Sequence, residues 1–235
     1  MGDLYKMFAE VYDDCGIDDF SLTFGEAMLE YFDRMHPDKT FRKNLDICCG
    51  TGTLCNFFKD NGIETKGVDI SREMLDIACK KYPDIEFEEC DVVEYHDDET
   101  YDFVTCVSDA LNNFIDTEDI KRIFGNVNKL LRVNGLFIFD IANFDIFPFE
   151  EYNKALDDFR RLSYHIHRNG KIITIDTKYY EDDVLLWESI DDGRDFSIEE
   201  ITQFLNEEGF VVESISQHFF NEKRSEKWKI VAKKV

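Results

Sequence analysis

One stretch, residues 44–56, constrains the fold of this chain more than any other. A short apolar segment is followed by a turn of small residues that contains Gly50 and Gly52, and then by the start of a helix. A ligand can approach the backbone most closely where side chains are smallest. The N-terminus of the helix adds N–H groups without intrahelical partners and the positive end of the helix dipole. The stretch therefore predicts a strand–turn–helix unit that binds a small molecule.

A Gly-x-Gly turn is a weak signal by itself, and the acidic residue Asp69 strengthens it. Asp69 ends the next predicted strand, about 20 positions after the turn. In βαβ units that bind nucleosides, an acidic residue at this distance accepts hydrogen bonds from the ribose hydroxyls. Because a carboxylate presents two oxygens to two neighbouring hydroxyls, we expect Asp69 to bind both of them.

Strands and helices alternate from residue 41 to residue 141, which is typical of a parallel α/β sheet. Two of the strands are nearly continuous apolar runs, as expected for strands that are buried on both faces of such a sheet. With two closing strands at 210–215 and 228–233, we predict a doubly wound, mostly parallel seven-stranded sheet with right-handed crossovers. The predicted strands of the alternating part are 45–48, 65–68, 85–89, 101–106 and 136–141, and its helices are 53–61, 72–82 and 117–131.

After Asn143 the pattern changes to antiparallel strands, which we predict at 159–168, 171–180 and 184–190. They are joined by the two-residue hairpin turn Asn169-Gly170 and by a turn at 181–183. Ser197 and Glu200 form a capping box, so a helix is expected to start there and to end before residue 209. We therefore predict a core of residues 1–143 and 195–235, with residues 1–40 as an N-terminal helical cap, and an antiparallel β lid insertion at 144–194.

The formal net charge of −24 over 235 residues restricts the partners of the chain. Such a surface repels phosphate backbones and anionic membranes, so we expect neither nucleic acid nor membrane partners. The same charge has two explanations. It keeps the protein soluble because like-charged molecules repel one another, or it attracts cationic and amine substrates. No apolar run approaches the length of a membrane span, and the N-terminus lacks the pattern of a signal peptide.

The seven cysteines indicate a reducing compartment. Their number is odd, and the sequence contains no Cys-x-x-Cys pair. Most lie within apolar strand or helix patterns, so we interpret them as buried, reduced thiols of a cytoplasmic protein. Cys48, Cys49 and Cys55 are close in sequence, but vicinal cysteines cannot easily ligate one tetrahedral zinc ion. We therefore expect no metal site.

Three segments together carry a resemblance to a known family: residues 46–52 around the turn, residues 68–75 around Asp69, and Cys90-Asp91-Val92. In these segments the chain resembles the class I S-adenosylmethionine-dependent methyltransferases, strongly over residues 40–143 and weakly over the closing strands. It is most similar to small-molecule enzymes, such as the amino-sugar N-methyltransferases and glycine N-methyltransferase-like proteins. It departs from the family at Cys48, which stands where the first glycine of the motif is usual.

The resemblance implies how S-adenosylmethionine and its product S-adenosylhomocysteine are bound. Asp91 is expected to accept a hydrogen bond from the adenine amino group, and the backbone N–H of Val92 to donate one to the ring. Asp46 is expected to order the turn and face the ammonium group of the cofactor, or alternatively to cap a helix. The cofactor-binding residues that the resemblance implies are Asp46, Cys48, Gly50, Thr51, Gly52, Asp69, Ile70, Met74, Asp91, Val92 and Val107.

Candidate acceptor-binding residues lie on three parts of the chain. Ligands of open α/β sheets bind at the carboxyl ends of the strands, so residues that follow the fourth strand are candidates, although Asn112 is equally well explained as a helix cap. Aromatic residues near the N-terminus form either a flap over the ligand or a helix that packs on the core, and the insertion adds a tryptophan. The candidates are Tyr5, Tyr12, Ser108, Asp109, Asn112 and Trp187.

One residue of the insertion, His165, is a candidate general base. Histidine titrates near neutral pH and is the side chain that most often moves protons in enzymes. By strand alternation His165 shares one face of its strand with His167. The alternative is that this face is a solvated surface of the sheet.

These features predict an enzyme that transfers a methyl group in line from S-adenosylmethionine to an amine or hydroxyl of a small molecule, as a monomer or homodimer. A nicotinamide-dependent oxidoreductase is one alternative, because it also uses a glycine-rich turn and a ribose aspartate. This turn lacks the third glycine of that motif, and Asp91 then has no role. The other alternative is a non-catalytic module that binds a nucleoside.

Overall fold

Two β-sheets, with helices packed on the larger one, form the part of the chain that the structure describes. The structure is a computed structural model and describes residues 8–144, 152–217 and 227–235. Its strands are β1 (Lys43–Ile47), β2 (Glu64–Asp69), β3 (Glu86–Glu89), β4 (Tyr101–Cys106), β5 (Leu131–Ala142), β6 (Tyr152–Ala155), β7 (Arg160–Asn169), β8 (Ile172–Glu181), β9 (Val184–Arg194), β10 (Phe210–Ser216) and β11 (Lys227–Lys234). Its helices are α1 (Ile17–Met35), α2 (Thr53–Asp60), α3 (Arg72–Lys81), α4 (Thr117–Leu130) and α5 (Ile198–Glu207), with 3₁₀ turns at Ala9–Val11, Asp13–Cys15 and Ala110–Asn113.

The larger sheet has the strand order β10-β11-β5-β4-β1-β2-β3. Strands β1 to β5 are parallel to one another, whereas β11 runs antiparallel to β5 and β10 antiparallel to β11. This order confirms the predicted doubly wound, mostly parallel seven-stranded sheet. Because the direction of winding reverses between β1 and β4, the carboxyl ends of these two strands form the crevice in which such sheets bind ligands.

Strand β5 illustrates how both faces of this sheet are buried. Phe137 and Phe139 pack into a cluster with residues of α4 and α5. Leu136 and Ile138, which point to the opposite face, pack with residues of α1 and α2. The continuous apolar pattern of the strand thus reflects burial on both sides, as in other parallel sheets.

Side-chain caps begin two of the helices where the sequence predicts them. At the start of α3, the Ser71 hydroxyl accepts a hydrogen bond from the Met74 N–H at 3.3 Å. At the start of α5, the Ser197 hydroxyl accepts from the Glu200 N–H at 3.2 Å, and the Glu200 carboxylate accepts from the Ser197 N–H at 3.1 Å. These bonds satisfy N–H groups that have no partner within the helix, and they confirm the predicted capping box.

Strand β5 begins five residues earlier than predicted, at Leu131 instead of residue 136. Its pairing with β4 shifts register after Tyr101, and Asn134 lies in the left-handed region at φ 61°. An irregularity of this kind lets the strand continue across a residue that sequence patterns treat as a turn. Gly135 therefore lies within the strand, where an added Cβ would come within 2.8 Å of the carbonyl oxygen of Arg132.

The smaller sheet follows β5 in the chain and is entirely antiparallel, in the order β6-β7-β8-β9. Strand β6 was not predicted, because Tyr152–Ala155 is short and has no alternation of apolar residues. The turn between β7 and β8 consists of Gly170 and Lys171, one position later than the predicted pair. In the next turn Asp182 and Asp183 both have positive φ, which suits a tight hairpin.

One face of the smaller sheet packs on residues 8–16, which we call the N-terminal segment. Leu162, Tyr179 and Trp187 of the sheet share a cluster with Phe8 of this segment and with Met74 of α3. The N-terminal segment therefore lies between the smaller sheet and helix α3, which packs on the larger sheet. No helix in the described ranges is long and apolar enough to cross a membrane.

Candidate active site

A cavity lies at the carboxyl ends of β1, β2 and β4, where the winding of the sheet reverses. Side chains and backbone from the turn after β1, from the loops after β3 and β4 and from the N-terminal segment form its walls. The lining residues are Tyr12, Cys48, Gly50, Val68, Asp69, Ile70, Met74, Cys90, Asp91, Val92, Val93, Val107, Ser108, Ala110, Asn113, Phe114 and Asp119.

The two glycines of the turn after β1 are required for different structural reasons. Gly50 lines the cavity at φ 56°, and a Cβ there would lie 3.4 Å from the Tyr12 hydroxyl. Gly52 is not among the lining residues; a Cβ there would come within 2.6 Å of the Phe87 ring, so packing on β3 excludes a side chain. Cys48 has φ 55°, a conformation that favours glycine, which accounts for the glycine usual at this position in related turns.

Asp69 joins the turn after β1 to the end of β2. Its two carboxylate oxygens accept hydrogen bonds from the backbone N–H groups of Gly50 and Ser71, each at 2.8 Å. Burial raises the pKa of Asp69, and these hydrogen bonds act in the opposite direction. A carboxylate has about four lone-pair sites, so Asp69 can still accept from a ligand hydroxyl inside the cavity.

The loop after β3 carries a second carboxylate to the cavity. One oxygen of Asp91 accepts from the Val93 N–H at 2.9 Å, and the side chain is exposed. Val92 beside it is buried and supplies an apolar wall. Asp119 of α4 also lines the cavity, with Arg122 3.6 Å from one of its oxygens.

Asp46 lies beneath the turn and is not among the residues that line the cavity. It is 1% exposed; one of its oxygens accepts from the Thr105 hydroxyl at 2.6 Å, and the other accepts from the Cys55 thiol at 3.7 Å. Burial raises the pKa of Asp46 to about 7. The structure thus places this residue in a buried polar network that supports the turn.

Thr51 joins the turn to the N-terminal segment, and it also lies outside the set of lining residues. Its hydroxyl donates to one oxygen of Asp13 at 2.6 Å, while Lys81 of α3 donates to the other at 2.7 Å. These contacts hold the N-terminal segment over the turn, where Tyr12 reaches the cavity.

The predicted acceptor residues after β4 separate into three environments. Ser108 lines the cavity, and its hydroxyl has no hydrogen-bond partner within the described ranges. Asp109 instead forms an ion pair with Lys227 of β11 at 3.0 Å. Asn112 is buried outside the set of lining residues: its amide donates to the Arg194 carbonyl at 2.8 Å and accepts from the Ala142 N–H at 2.9 Å. Its contacts join β5, β9 and the 3₁₀ turn.

Two aromatic candidates also lie apart from the cavity walls. Trp187 stacks on Tyr179, with ring centroids 5.6 Å apart, and makes an edge contact with Phe8. It supports the N-terminal segment from the side of the smaller sheet. Tyr5 lies outside the described residues.

The structure places His165 away from the cavity, which gives no support to its predicted role as a general base. Leu162 and Ile166 of the same strand are buried, and the residues that alternate with them point to the other face of the sheet. His165 and His167 are exposed on that face with their rings 4.0 Å apart, as the alternation predicts. Among the described residues, no group of three His, Cys, Asp or Glu side chains is arranged to hold a metal ion.

Several residues that line the cavity were not predicted from the sequence. Most of them follow the third or fourth predicted strand, which is their one signal, while Val68 immediately precedes Asp69 at the end of the second. A clearer signal marks Asp140, a charged residue within the apolar run of β5 that is completely buried in the structure. The lining residues that were not predicted are Val68, Cys90, Val93, Ala110, Phe114 and Asp119.

Comparison with known proteins identifies a methyltransferase domain in this chain. A family profile described as a methyltransferase domain matches residues 45–135, which contain the turn, Asp69 and Asp91. Residues 45–135 therefore form a methyltransferase domain, and the chain shares the fold of an S-adenosylmethionine-dependent methyltransferase. A putative methyltransferase of Geobacillus sp. (strain WCH70) is 33% identical over 104 residues, which are 43% of this chain and 42% of that protein. The putative methyltransferase YqeM of Bacillus subtilis (strain 168) is 25% identical over 228 residues, 92% of this chain and 90% of the relative.

Solved structures share the fold of this methyltransferase along its whole length. An S-adenosylmethionine-dependent methyltransferase from Clostridium acetobutylicum ATCC 824 has a TM-score of 0.83 at 22% identity, covering 99% of each chain. CalS10 bound to S-adenosylmethionine, an amino pentose methyltransferase from Micromonospora echinaspora, has a TM-score of 0.80 at 15% identity, covering 96% of this chain and 97% of its own.

CalS10 binds S-adenosylmethionine, and the charge of the cavity in this methyltransferase suits the same cofactor. Among the lining residues the charged side chains are Asp69, Asp91 and Asp119, all of which are acidic. A concave site with carboxylates and no lysine or arginine among its described lining residues favours a sulfonium and an ammonium group. The same site disfavours the pyrophosphate of a nicotinamide dinucleotide, which argues against an oxidoreductase.

Proposed function

We propose that this methyltransferase transfers the methyl group to a nitrogen or oxygen of a small acceptor. One observation carries the proposal: a single cavity has Asp69 and Asp91 along one part and Ser108 along another, at the point where the winding of the sheet reverses. A nucleoside bound by the two acids directs the remainder of the cofactor toward Ser108. The acceptor then approaches from the side of the N-terminal segment and the loop after β4.

In the proposed binding mode each residue has one role. Asp69 accepts from the two ribose hydroxyls, and Asp91 accepts from the adenine amino group with the oxygen that does not bond to Val93. The N–H of Val92 donates to the adenine ring. Gly50 leaves room for the amino-acid part of the cofactor, because the turn presents only backbone there.

The bound cofactor supplies a methyl group on a positively charged sulfur, which the lone pair of the acceptor attacks in line. The protein contributes alignment, since fixing two reactants in a productive geometry accounts for as much as about 7–11 kcal/mol in the best intramolecular cases. Tyr12 and the N-terminal segment cover the turn on one side of the cavity. No covalent bond to the enzyme is needed.

Two observations support a small amine or hydroxyl compound as the acceptor. The net charge of −24 disfavours nucleic acids, and the acidic lining favours neutral or cationic groups. A protein with the same fold is described as acting on an amino pentose. An aminated sugar or a comparable small amine is therefore the first class to test.

Calorimetric titration with S-adenosylhomocysteine tests the cofactor site. Replacing Asp69 by Ala removes two charge-assisted hydrogen bonds to the ribose, each worth roughly 1.5–3 kcal/mol, so affinity should fall by at least about a hundredfold. Asp84→Ala is the matched control, because this aspartate is exposed and contacts only Lys59, at 3.4 Å, among the pairs described. Equal affinities of the two variants, or tight binding of NADH by the wild type, would contradict the assignment.

A panel of small amines and hydroxyl compounds tests the reaction. Release of S-adenosylhomocysteine with at least one acceptor, absent without acceptor, is the expected result. A protein that binds the cofactor tightly and releases no product with any member of a broad panel would favour a non-catalytic nucleoside-binding module.

A further inference from the structure

Two consecutive residues after β4 hold an unusual backbone conformation. Ser108 and Asp109 have φ 64° and φ 51°, in the left-handed region that residues other than glycine rarely adopt. A conformation of this kind persists where neighbouring groups hold it in place, and it is frequent at functional sites. Ser108 lines the cavity, so the conformation of this pair decides where its hydroxyl lies.

Two residues from neighbouring strands hold this pair, and neither belongs to the motifs of the sequence. Asp140 of β5 accepts a hydrogen bond from the Asp109 N–H at 3.0 Å. Lys227 of β11 lies 3.0 Å from a carboxylate oxygen of Asp109 and 3.4 Å from Asp140. The pair is therefore bound through its backbone by one strand and through its side chain by another.

The surroundings make this cluster costly for the fold. Asp140 is completely buried between Phe139 and Ile141, and one of its oxygens has no hydrogen-bond partner within the described ranges. Lys229, opposite Asp140 on β11, is also buried. A buried ionic cluster is weak support for stability, since apolar residues of similar volume usually serve a core as well or better. Its place beside a strained pair of which Ser108 lines the cavity points to a role in the site.

We infer that Asp140 and Lys227 are positioning residues that hold the Ser108–Asp109 pair so that the Ser108 hydroxyl faces the methyl-transfer end of the cavity. The inference rests on the proposed function, which places the nucleoside at Asp69 and Asp91 and the sulfur near Ser108. The hydroxyl is buried and has no partner within the described chain, so a polar group of the bound cofactor or acceptor that reaches this wall of the cavity can bond to it. Asp140 and Lys227 touch neither, and they act through the pair.

The test follows the methyl group itself, by NMR of the protein bound to S-adenosylmethionine carrying a ¹³C-labelled methyl. Asp140→Asn keeps the shape of the side chain and removes its negative charge. Lys227→Met removes the positive charge of the lysine. Both should shift the resonance of the bound methyl and lower the preference for S-adenosylmethionine over S-adenosylhomocysteine at least threefold. Affinity for S-adenosylhomocysteine, which has no methyl group, should stay within twofold.

Asp102→Asn is the matched control. Asp102 lies at the opposite end of β4, where it accepts from the N–H groups of Arg42 and Lys43 and pairs with Arg132. It is a comparable carboxylate bound to loop backbone, but it lies far along the strand from the cavity. This variant should lose thermal stability without moving the methyl resonance or the ratio of the two affinities.

A double-mutant cycle separates positioning from a merely structural role. If Asp140 acts through Ser108, the effects of Ser108→Ala and Asp140→Asn on the affinity ratio should not add. An unchanged methyl resonance in folded Asp140→Asn and Lys227→Met, or additive effects in the cycle, would overturn the inference while the proposed function stands. A wild-type protein that fails to bind S-adenosylmethionine would overturn both.

Discussion

The ionisation of Asp46 is linked to folding. It is buried beneath the turn, and its pKa is raised from an ordinary value of 3.8 to about 7 because burial disfavours the charged form. Below pH 3.8 the carboxyl group is neutral in both the folded and the unfolded chain. Between these two values the unfolded chain releases the proton and the folded chain retains it, so this residue destabilises the fold progressively as the pH rises toward 7.

Replacing Asp46 by Asn should therefore become more favourable as the pH rises. Asparagine cannot ionise, so the free energy of unfolding of Asp46→Asn relative to wild type should increase by about 2–3 kcal/mol between pH 5 and pH 8. Urea denaturation of both proteins at each pH measures the difference. The hydroxyl of Thr105 can still donate to the amide oxygen, so the comparison isolates the charge. A difference that stays constant over this range would show that Asp46 does not titrate as the fold requires.

For single residues, the sequence predicts well which carboxylates lie near one another. It predicts less well which groups an amide or imidazole side chain contacts. Asp69 and Asp91 follow neighbouring parallel strands, and such strand ends necessarily meet at one edge of the sheet. His165 has no such constraint. The alternation of a strand shows that His165 shares a face with His167, but it does not show which face of the smaller sheet is directed toward the cavity. The packing of Leu162 and Tyr179 on the N-terminal segment determines which face this is.

The 3₁₀ turn after β4 connects the smaller sheet to the larger one through Asn112. The Asn112 amide bonds to backbone groups of β5 and β9, and Gly193 packs so closely that an added Cβ would lie 2.8 Å from the Asn112 carbonyl oxygen. Replacing Asn112 by Ala removes the hydrogen bonds of the buried Ala142 N–H and the part-buried Arg194 carbonyl, which should lower the free energy of unfolding by about 3 kcal/mol. Chemical denaturation measures this loss.

Asn206→Ala, on the exposed surface of α5, is the control for Asn112→Ala and should change stability by less than about 0.5 kcal/mol. The affinity of Asn112→Ala for S-adenosylhomocysteine should stay within a few-fold of wild type, since Asn112 is not among the lining residues. A stable variant that loses activity toward an acceptor would instead restore Asn112 as an acceptor-binding residue.

Elements with strong local signals were predicted to within a residue or two, and those formed by tertiary contacts were not. The caps at Ser71 and Ser197 and the apolar run of β4 are local, so the sequence specifies them. Strand β6 has no apolar period, and it forms because β7 provides a pairing edge. The early start of β5 depends on the left-handed conformation of Asn134, which no pattern of hydrophobic residues reveals.

For the molecule as a whole, the N-terminal segment is the part that joins both sheets at the cavity. Asp13 accepts from Thr51 and Lys81 on the side of the larger sheet, and Asp14 pairs with Arg160 of the smaller sheet at 2.6 Å. In a chain of net charge −24, adjacent aspartates stay close to the acidic cavity only because each has a specific partner. Access to the turn should therefore depend on these bonds.

Hydrogen exchange can show which of the two contacts holds the N-terminal segment. Asp13→Ala removes hydrogen bonds to a charged acceptor from both Thr51 and Lys81, worth roughly 1.5–3 kcal/mol, so exchange within residues 8–16 should accelerate at least tenfold. Asp14→Ala removes an ion pair whose aspartate is 45% exposed, and pairs of that kind contribute at most about 1 kcal/mol, so acceleration should stay below about fivefold. Because Tyr12 reaches the cavity from this segment, Asp13→Ala should also release S-adenosylhomocysteine faster in a competition experiment. The opposite ranking of the two variants would mean that the smaller sheet, and not the glycine turn, holds the segment in place.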